Sequence, residues 1–398
     1  MRIIIFIYLS ALLVNATTFM LDDAIKELKV SHPLAKSINS FEKAFKAQNR
    51  ALSASDAVVL NAEGAHARPK YDKDGYEYTV GLEKNFLNPT YQNELLKSSN
   101  YESDAQILQL KHSFLALQNS VKLLYHINCL DRKSEKQYKK SFKSFKKLYV
   151  KKQKAYEYGE VSRKELLQLQ IELLRLKSKY KYYKKEEQIS RDALQAKLLL
   201  NSFKNETSQC NDLYPITKEL SENNSQTSLQ ELSFQKKILS ADSSYKQHDT
   251  FLNSVALSAA YQSEIDTKRV IVALSIPLNF SGALNTQSRL AALNKKSAYE
   301  EEAREFKLQR SAKIELLNKK LVQGFEATQA FSSMLDKYEN ELIPLIEKGY
   351  NLAEFSAIEY LLSKREFMEL KKEQIQNYKN YYKTLFELYT TLEIKDQK

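Results

Sequence analysis

The feature that most limits how this chain can fold is a duplication. Residues 156–177 align with 350–371 at a shift of 194 without a gap. The pairs Tyr156/Tyr350, Glu160/Glu354, Ser162/Ser356, Glu165/Glu359, Leu167/Leu361, Glu172/Glu366, Leu176/Leu370 and Lys177/Lys371 are identical. Tyr78–Leu82 also matches Val270–Leu274 in hydrophobic pattern, at a shift of 192. One supersecondary unit therefore occurs twice: helix, two strands, long helix, turn, long helix. The predicted layout is repeat 1 over 17–200, a polar connector over 201–228 and repeat 2 over 229–398. The β-hairpins are predicted near 62–84 and 251–281, and the helical-hairpin tips near 150–162 and 344–356.

The long segments carry coiled-coil seams. Ile107, Leu110, Phe114, Leu117, Val121 and Leu124 are spaced 3, 4, 3, 4, 3, and so are Leu166, Leu169, Leu173, Leu176, Tyr180 and Tyr183. Leu361, Met368, Ile375, Tyr382 and Tyr389 recur every seven residues. Such spacing keeps one apolar stripe facing a partner helix. Leu167, Ile171 and Leu174 add a flanking stripe, so that helix expects neighbours on two sides. Only 7 of 398 residues are Gly, which excludes folds built on Gly-rich phosphate loops or many tight turns. Gly159 and Gly349 are expected at the two helix reversals. The Lys-rich stretch Lys139–Lys154 is expected to interrupt its helix.

Short segments between the helices have a period of two. Val270, Val272, Leu274, Ile276, Leu278 and Phe280 alternate with smaller or more polar residues, as do Val255, Leu257, Ala259 and Tyr261. Tyr76, Tyr78, Val80 and Leu82 do the same after the turn signal Asp74-Gly75. The strand before that turn, near Ala62 to Tyr71, is weakly marked. Strands of about 9–11 residues with one apolar face match a transmembrane β-barrel wall. The alternative is a sheet packed on its own helices. Four such strands cannot close a barrel, and open edges in lipid leave backbone groups unpaired at several kcal/mol each. Oligomerisation would remove the edges.

Met1-Arg2, the apolar run Ile3–Val14 and Val14-Asn15-Ala16 read as a signal peptide over 1–16. The run falls short of the ~20 residues a membrane-spanning helix needs; a buried N-terminal helix is the competing reading. Cys129 and Cys210 allow one bridge or two buried thiols. Lys and Arg outnumber Asp and Glu by 61 to 49, but the excess is spread along helical faces. It reads as a solvated surface, not as a nucleic-acid site.

Several segments, in order, resemble the TolC-like outer-membrane efflux proteins over essentially the whole chain after residue 16. Leu21-Asp-Asp-Ala24-Ile25 with Ser31-His32-Pro33-Leu34 is similar to the family's opening helix. Ser275-Ile276-Pro277-Leu278-Asn279-Phe280-Ser281-Gly282 is similar to its strand-end signature, and Ala291 and Ala292 follow. Tyr156-Glu157-Tyr158-Gly159-Glu160-Val161-Ser162 is similar to its hairpin tip. The resemblance implies a mainly α chain with a minor β part. As a homotrimer it would build one β-barrel from four strands per chain, continued by a periplasmic helical tunnel. It implies an outer-membrane location, with a periplasmic adaptor and an inner-membrane transporter as partners. Tyr156, Gly159, Ser162, Tyr350 and Ser356 become the candidate adaptor-contacting tip residues, and Glu165 and Glu359 candidate lumen or gate carboxylates. The second tip departs from the family in having Ala353 where Gly is common. Positions that hold an Arg and two acids in some members are Phe355, Glu359 and Leu362 here.

No HExxH, GxSxG, P-loop or CxxC motif occurs. The histidines (His32, His66, His112, His126 and His248) are scattered, so neither a metal, a cofactor nor catalysis is expected. The leading function is a passive efflux duct. The alternatives are a periplasmic coiled-coil adaptor or scaffold outside the membrane, and an outer-membrane conduit for type I polypeptide secretion.

Overall fold

In the computed structural model the described residues are 18–68, 74–199, 206–218, 228–250, 252–277, 283–352 and 354–394. The expected signal peptide, Gly282 and Ala353 lie outside them. The elements run β1 (Thr18–Phe19), α1 (Leu21–Ser31), α2 (Pro33–Ser53), β2 (Val59–Ala67), β3 (Gly75–Leu87), α3 (Pro89–Glu157), α4 (Arg163–Leu198) and β4 (Thr207–Ser208). They continue with α5 (Leu229–His248), β5 (Ser254–Ser263), β6 (Lys268–Ser275), α6 (Ala283–Lys337), a π-helical turn (Tyr338–Leu342), α7 (Ile343–Asn351) and α8 (Ala357–Leu392). The order helix, β-hairpin, long helix, reversal, long helix thus recurs. Pro89 and Pro33 both open helices, where a missing N–H costs nothing.

The chain divides into two compact units. One comprises Ser37–Ser113 and Ser225–Ser311. Its β-hairpins join through β3 and β5 into a four-stranded antiparallel sheet in the order β2-β3-β5-β6. Its helices meet through small residues: Ala105, Ala241 and Ala292 are buried, Ser98 bonds to the Ser240 carbonyl, and Ser233 bonds to the Ala105 carbonyl. Short side chains let helix backbones approach closely. Charged pairs Lys236–Asp104, Lys296–Asp242 and Arg310–Glu231 flank these contacts.

The other unit comprises 1–36, Phe114–Asn224 and Ala312–Lys398. Its core includes Leu21, Ala24, Leu28, Val121, Tyr125, Leu194 and Leu198, and a second cluster around Leu321, Tyr381, Tyr382, Leu385 and Phe386. The connector residues 206–218 are fastened between these clusters by side-chain bonds. The Tyr125 hydroxyl donates to Asp212 at 2.8 Å and accepts from the Cys210 N–H, while Asp212 also accepts the Leu21 N–H at the start of α1. Arg132 donates to the Ser208 carbonyl, and Tyr382 to the Tyr214 carbonyl. Cys129 and Cys210, 81 residues apart, form a disulfide, which resolves the alternative left open by the sequence.

His126 is fully buried in this arrangement. Its Nδ1 is 2.7 Å from the Lys122 carbonyl, and the Tyr214 N–H donates to Nε2 at 2.9 Å. These partners define a neutral ring with its proton on Nδ1.

The helices correct two expectations. Helix α3 runs unbroken through Lys139–Lys154, because lysine is a good helix former and that stretch has neither Gly nor Pro. Between α6 and α7 the helix passes through the π-helical turn beside Pro344, which has no N–H to donate into the ladder. In the first α3 stripe only Val121 is fully buried, while polar Asn119, Lys122, His126 and Asn128 lie on the buried side. The α8 seam does bury Met368, Ile375, Tyr382 and Tyr389.

Burial holds His126 down from 6.5 to about 4. Its contribution to stability is complete above the unfolded value and disappears as pH falls through the folded one. Unfolding free energy should drop by up to about 3 kcal/mol between roughly pH 6.5 and 4. Denaturant melts across that range should show the drop, and His126→Gln should flatten it. Breaking the bridge with Cys129→Ser should cost about 2–4 kcal/mol in the same assay.

Candidate functional site: the sheet face and the hairpin tips

Two surfaces concentrate the unusual chemistry, one in each unit. The first is the sheet. The register places Leu60, Ala62 and His66 of β2 in one face with Tyr76, Tyr78, Val80 and Leu82 of β3. Leu257, Ala259 and Tyr261 of β5 and Val270, Val272 and Leu274 of β6 complete it. This face is solvent-exposed: Tyr76 is 80%, Val270 76% and Val272 71% accessible. The opposite face carries Asn61, Glu63, Glu77, Thr79, Glu83, Ser258 and Gln262 among small residues, with Val59, Leu87 and Ile271 as its large apolar members. From Tyr76 to Phe86 the strand advances about 33 Å, which a tilt near 40° reduces to the ~25 Å apolar band of an outer-membrane barrel. Tyr76, Tyr78 and Tyr261 mark one end of the band. Phe86, with the Lys84 ammonium 5.4 Å from its ring centre, marks the other. Both β2 and β6 have one side without a strand partner among the described residues.

The sequence located three of these strands closely and placed the first one late. Strand β2 starts at Val59, three residues ahead of the expected Ala62. Its alternation is hidden because Ala62, Gly64 and His66 supply little apolar bulk on the outward face.

The second surface comprises the two hairpin tips. Two residues past the end of α3 stands Gly159, whose φ of +77° is the left-handed conformation that glycine adopts without strain. The Glu160 N–H then closes onto the Ala155 carbonyl at 2.9 Å. Ser162 caps α4 by accepting the Glu165 N–H, and Lys152 pairs with Glu165 at 3.6 Å. In the second tip Ser356 and Glu359 form a reciprocal capping box. These bonds hold the Glu359 carboxyl below its ordinary range, the Ser356 N–H first among the causes. Identity of Ser162/Ser356 and Glu165/Glu359 across the repeat thus has a local origin, since both pairs start a helix. Tyr156 is exposed, whereas Tyr350 stacks on Tyr360 at 4.9 Å and receives Lys152 over its ring.

Gly349 is not at the reversal, as expected from sequence, but inside α7. A Cβ there would lie 2.4 Å from the Phe355 ring, so this glycine makes room for Phe355. Tyr158, beside Gly159, is 81% exposed and belongs to no coiled-coil seam. The flanking stripe Leu167, Ile171 and Leu174 is exposed on α4, and it extends to Tyr182 and Ile189. Tyr182 and Ile189 follow Leu174 at spacings of 8 and 7, a signal present in the sequence, whereas Tyr158 lies in the turn outside any helical repeat.

No family model matches the sequence, and no curated protein matches it. Solved structures do. The CmeC outer membrane channel of Campylobacter jejuni is 14% identical, with a TM-score of 0.78 over 95% of this chain and 86% of that one. The open-state MtrE outer membrane channel of Neisseria gonorrhoeae gives 14%, 0.77, 94% and 89%. The outer membrane protein VceC of Vibrio cholerae gives 12%, 0.72, 94% and 95%. The chain has the fold of the outer-membrane channels, mainly helical with a minor β part.

The two tip glycines make a paired test. Gly159→Ala has open space but the wrong φ and should lower stability by about 1 kcal/mol. Gly349→Ala has an ordinary φ but collides with Phe355, and should cost more, about 1–3 kcal/mol. Thermal melts of both variants, with Gly349→Ala/Phe355→Ala as the rescue, check the order.

Proposed function

We propose that this chain is an outer-membrane efflux duct that works as a closed ring of identical copies, three by family resemblance. Each copy supplies four strands to one barrel and its helices to a periplasmic conduit. The observation that carries the reading is the sheet: an exposed, registered apolar face, a polar opposite face and two free edges. In hydrocarbon those edges leave N–H and C=O groups unsatisfied at several kcal/mol each. A neighbouring copy pairing β6 with its own β2 satisfies them. The exposed stripe on α4 supports the same assembly, since a second copy packing there would remove Leu167, Ile171 and Leu174 from water.

The disulfide supports export, because such bridges form and persist in oxidising compartments. Transport through the duct is passive. An inner-membrane pump supplies the energy, and a periplasmic adaptor engages Tyr156, Gly159 and Ser162 at the first tip and Tyr350 and Ser356 at the second. Glu165 and Glu359 serve the shape of the tips through their capping and pairing, not a carboxylate gate. No catalytic step, cofactor or nucleic acid enters this reading.

Membrane fractionation and planar-bilayer recording test it. A wash-resistant outer-membrane oligomer with discrete single-channel conductance is expected, and a soluble monomer would overturn the reading. Face specificity sharpens the test. Val272→Arg, on the apolar face, should cost about 2–4 kcal/mol of insertion and deplete the membrane fraction. Thr79→Arg, on the opposite face, should insert normally and alter conductance.

A further inference from the structure

The two hairpins are repeats in sequence, yet their charges have diverged. Residues 139–164 contain ten Lys or Arg and two Glu, a formal +8; the repeat-equivalent 333–358 contain two Lys and five Asp or Glu, a formal −3. Resting on the duct reading above, we infer that the first tip docks an acidic partner segment, with Tyr158 as its anchor and a lysine stripe as its rim.

Three observations converge on that surface. Lys143, Lys147, Lys151 and Lys154 follow one another at spacings of 4, 4 and 3, and so form a stripe along one face of α3. They are exposed, as are Lys146, Arg163 and Lys164, and none of these has an acidic partner within 4 Å among the described residues. Tyr158 stands at the end of the stripe with four-fifths of its surface in water. An exposed aromatic at the end of a cationic stripe has the anatomy of a docking site: the ring provides desolvated contact area, and the charges accelerate encounter and fix orientation.

Charge arithmetic sets the sign of the partner. If the basic hairpin of one copy lies beside the acidic hairpin of the next, each copy still retains a net +5 at its tips. Ring closure therefore leaves the periplasmic end cationic, and the complement has to come from outside the ring. The second tip lacks these features: its acids Glu347 and Glu339 are already paired with Lys364 and Lys371, and its Tyr350 is stacked on Tyr360. The two tips then divide the work, the first recognising charge and the second holding shape.

The probe is a synthetic antiparallel helical hairpin with Glu at its exposed positions, compared with the same hairpin carrying Lys. Each is titrated by fluorescence anisotropy against the detergent-solubilised full-length oligomer at about 50 and about 300 mM salt. The Glu probe should bind at least about tenfold tighter than the Lys probe, and its affinity should fall with salt. The triple variant Lys147→Glu/Lys151→Glu/Lys154→Glu should lose about tenfold in affinity. The corresponding Lys→Arg triple should keep it, and Tyr158→Ala should weaken binding at both salt concentrations. Equal binding of the two probes, or undiminished binding to the Glu triple variant, would overturn the inference. So would a reversal that changes the ion selectivity of the pore while leaving probe binding intact, since the stripe would then serve permeating anions. Bilayer conductance of the unsubstituted protein reports separately on the duct: its loss sinks the duct reading, while a conducting oligomer without charge-selective docking sinks only this inference.

Discussion

The structure depends on a backbone that is left unfinished. A sheet of four strands with an apolar face toward its surroundings and two edges unpaired among the described residues is not a self-sufficient object in lipid or in water. In water the apolar face is the liability; in lipid the edges are. Lipid settles the face, and closure with further strands settles the edges, because every backbone donor and acceptor then finds its partner within the wall. The exposed stripe on α4 repeats this condition in the helical unit, where side-chain packing is what is missing.

Elsewhere the chain is highly finished. The connector is tied to α3 and α8 by a disulfide and by hydrogen bonds from Tyr125, Arg132 and Tyr382, with His126 kept neutral at the centre. Each buried polar group in this set has its partner, which is the condition under which such groups specify one arrangement. The same arrangement caps α1 through Asp212, so the start of the described chain is fixed by a segment almost two hundred residues further on. A firmly locked connector in one unit and an open sheet in the other are what the proposed ring of copies requires.

How much was legible follows from the kind of signal. Strands β3, β5 and β6 show in the sequence because bulky apolar residues alternate with polar or small ones. The start of β2 does not, because Ala62, Gly64 and His66 give no contrast. The α8 seam is readable because Met368, Ile375, Tyr382 and Tyr389 are all large and buried. The α3 seam is misleading because its buried side is partly polar and follows the hydrogen bonds of the connector, not hydrophobic periodicity. At the tips, the repeat identified Ser162, Ser356, Glu165 and Glu359, but only their bonds identify them as capping residues.

By itself the sequence determined the duplicated order of elements, the long helices and the two-faced strands, because each is a periodicity carried by neighbouring residues. Tertiary structure alone decided the joining of β3 to β5, the pairing of Cys129 with Cys210, the neutral state of His126 and the room Gly349 leaves for Phe355. Those depend on which distant atoms come within bonding distance, and no local pattern encodes a distance.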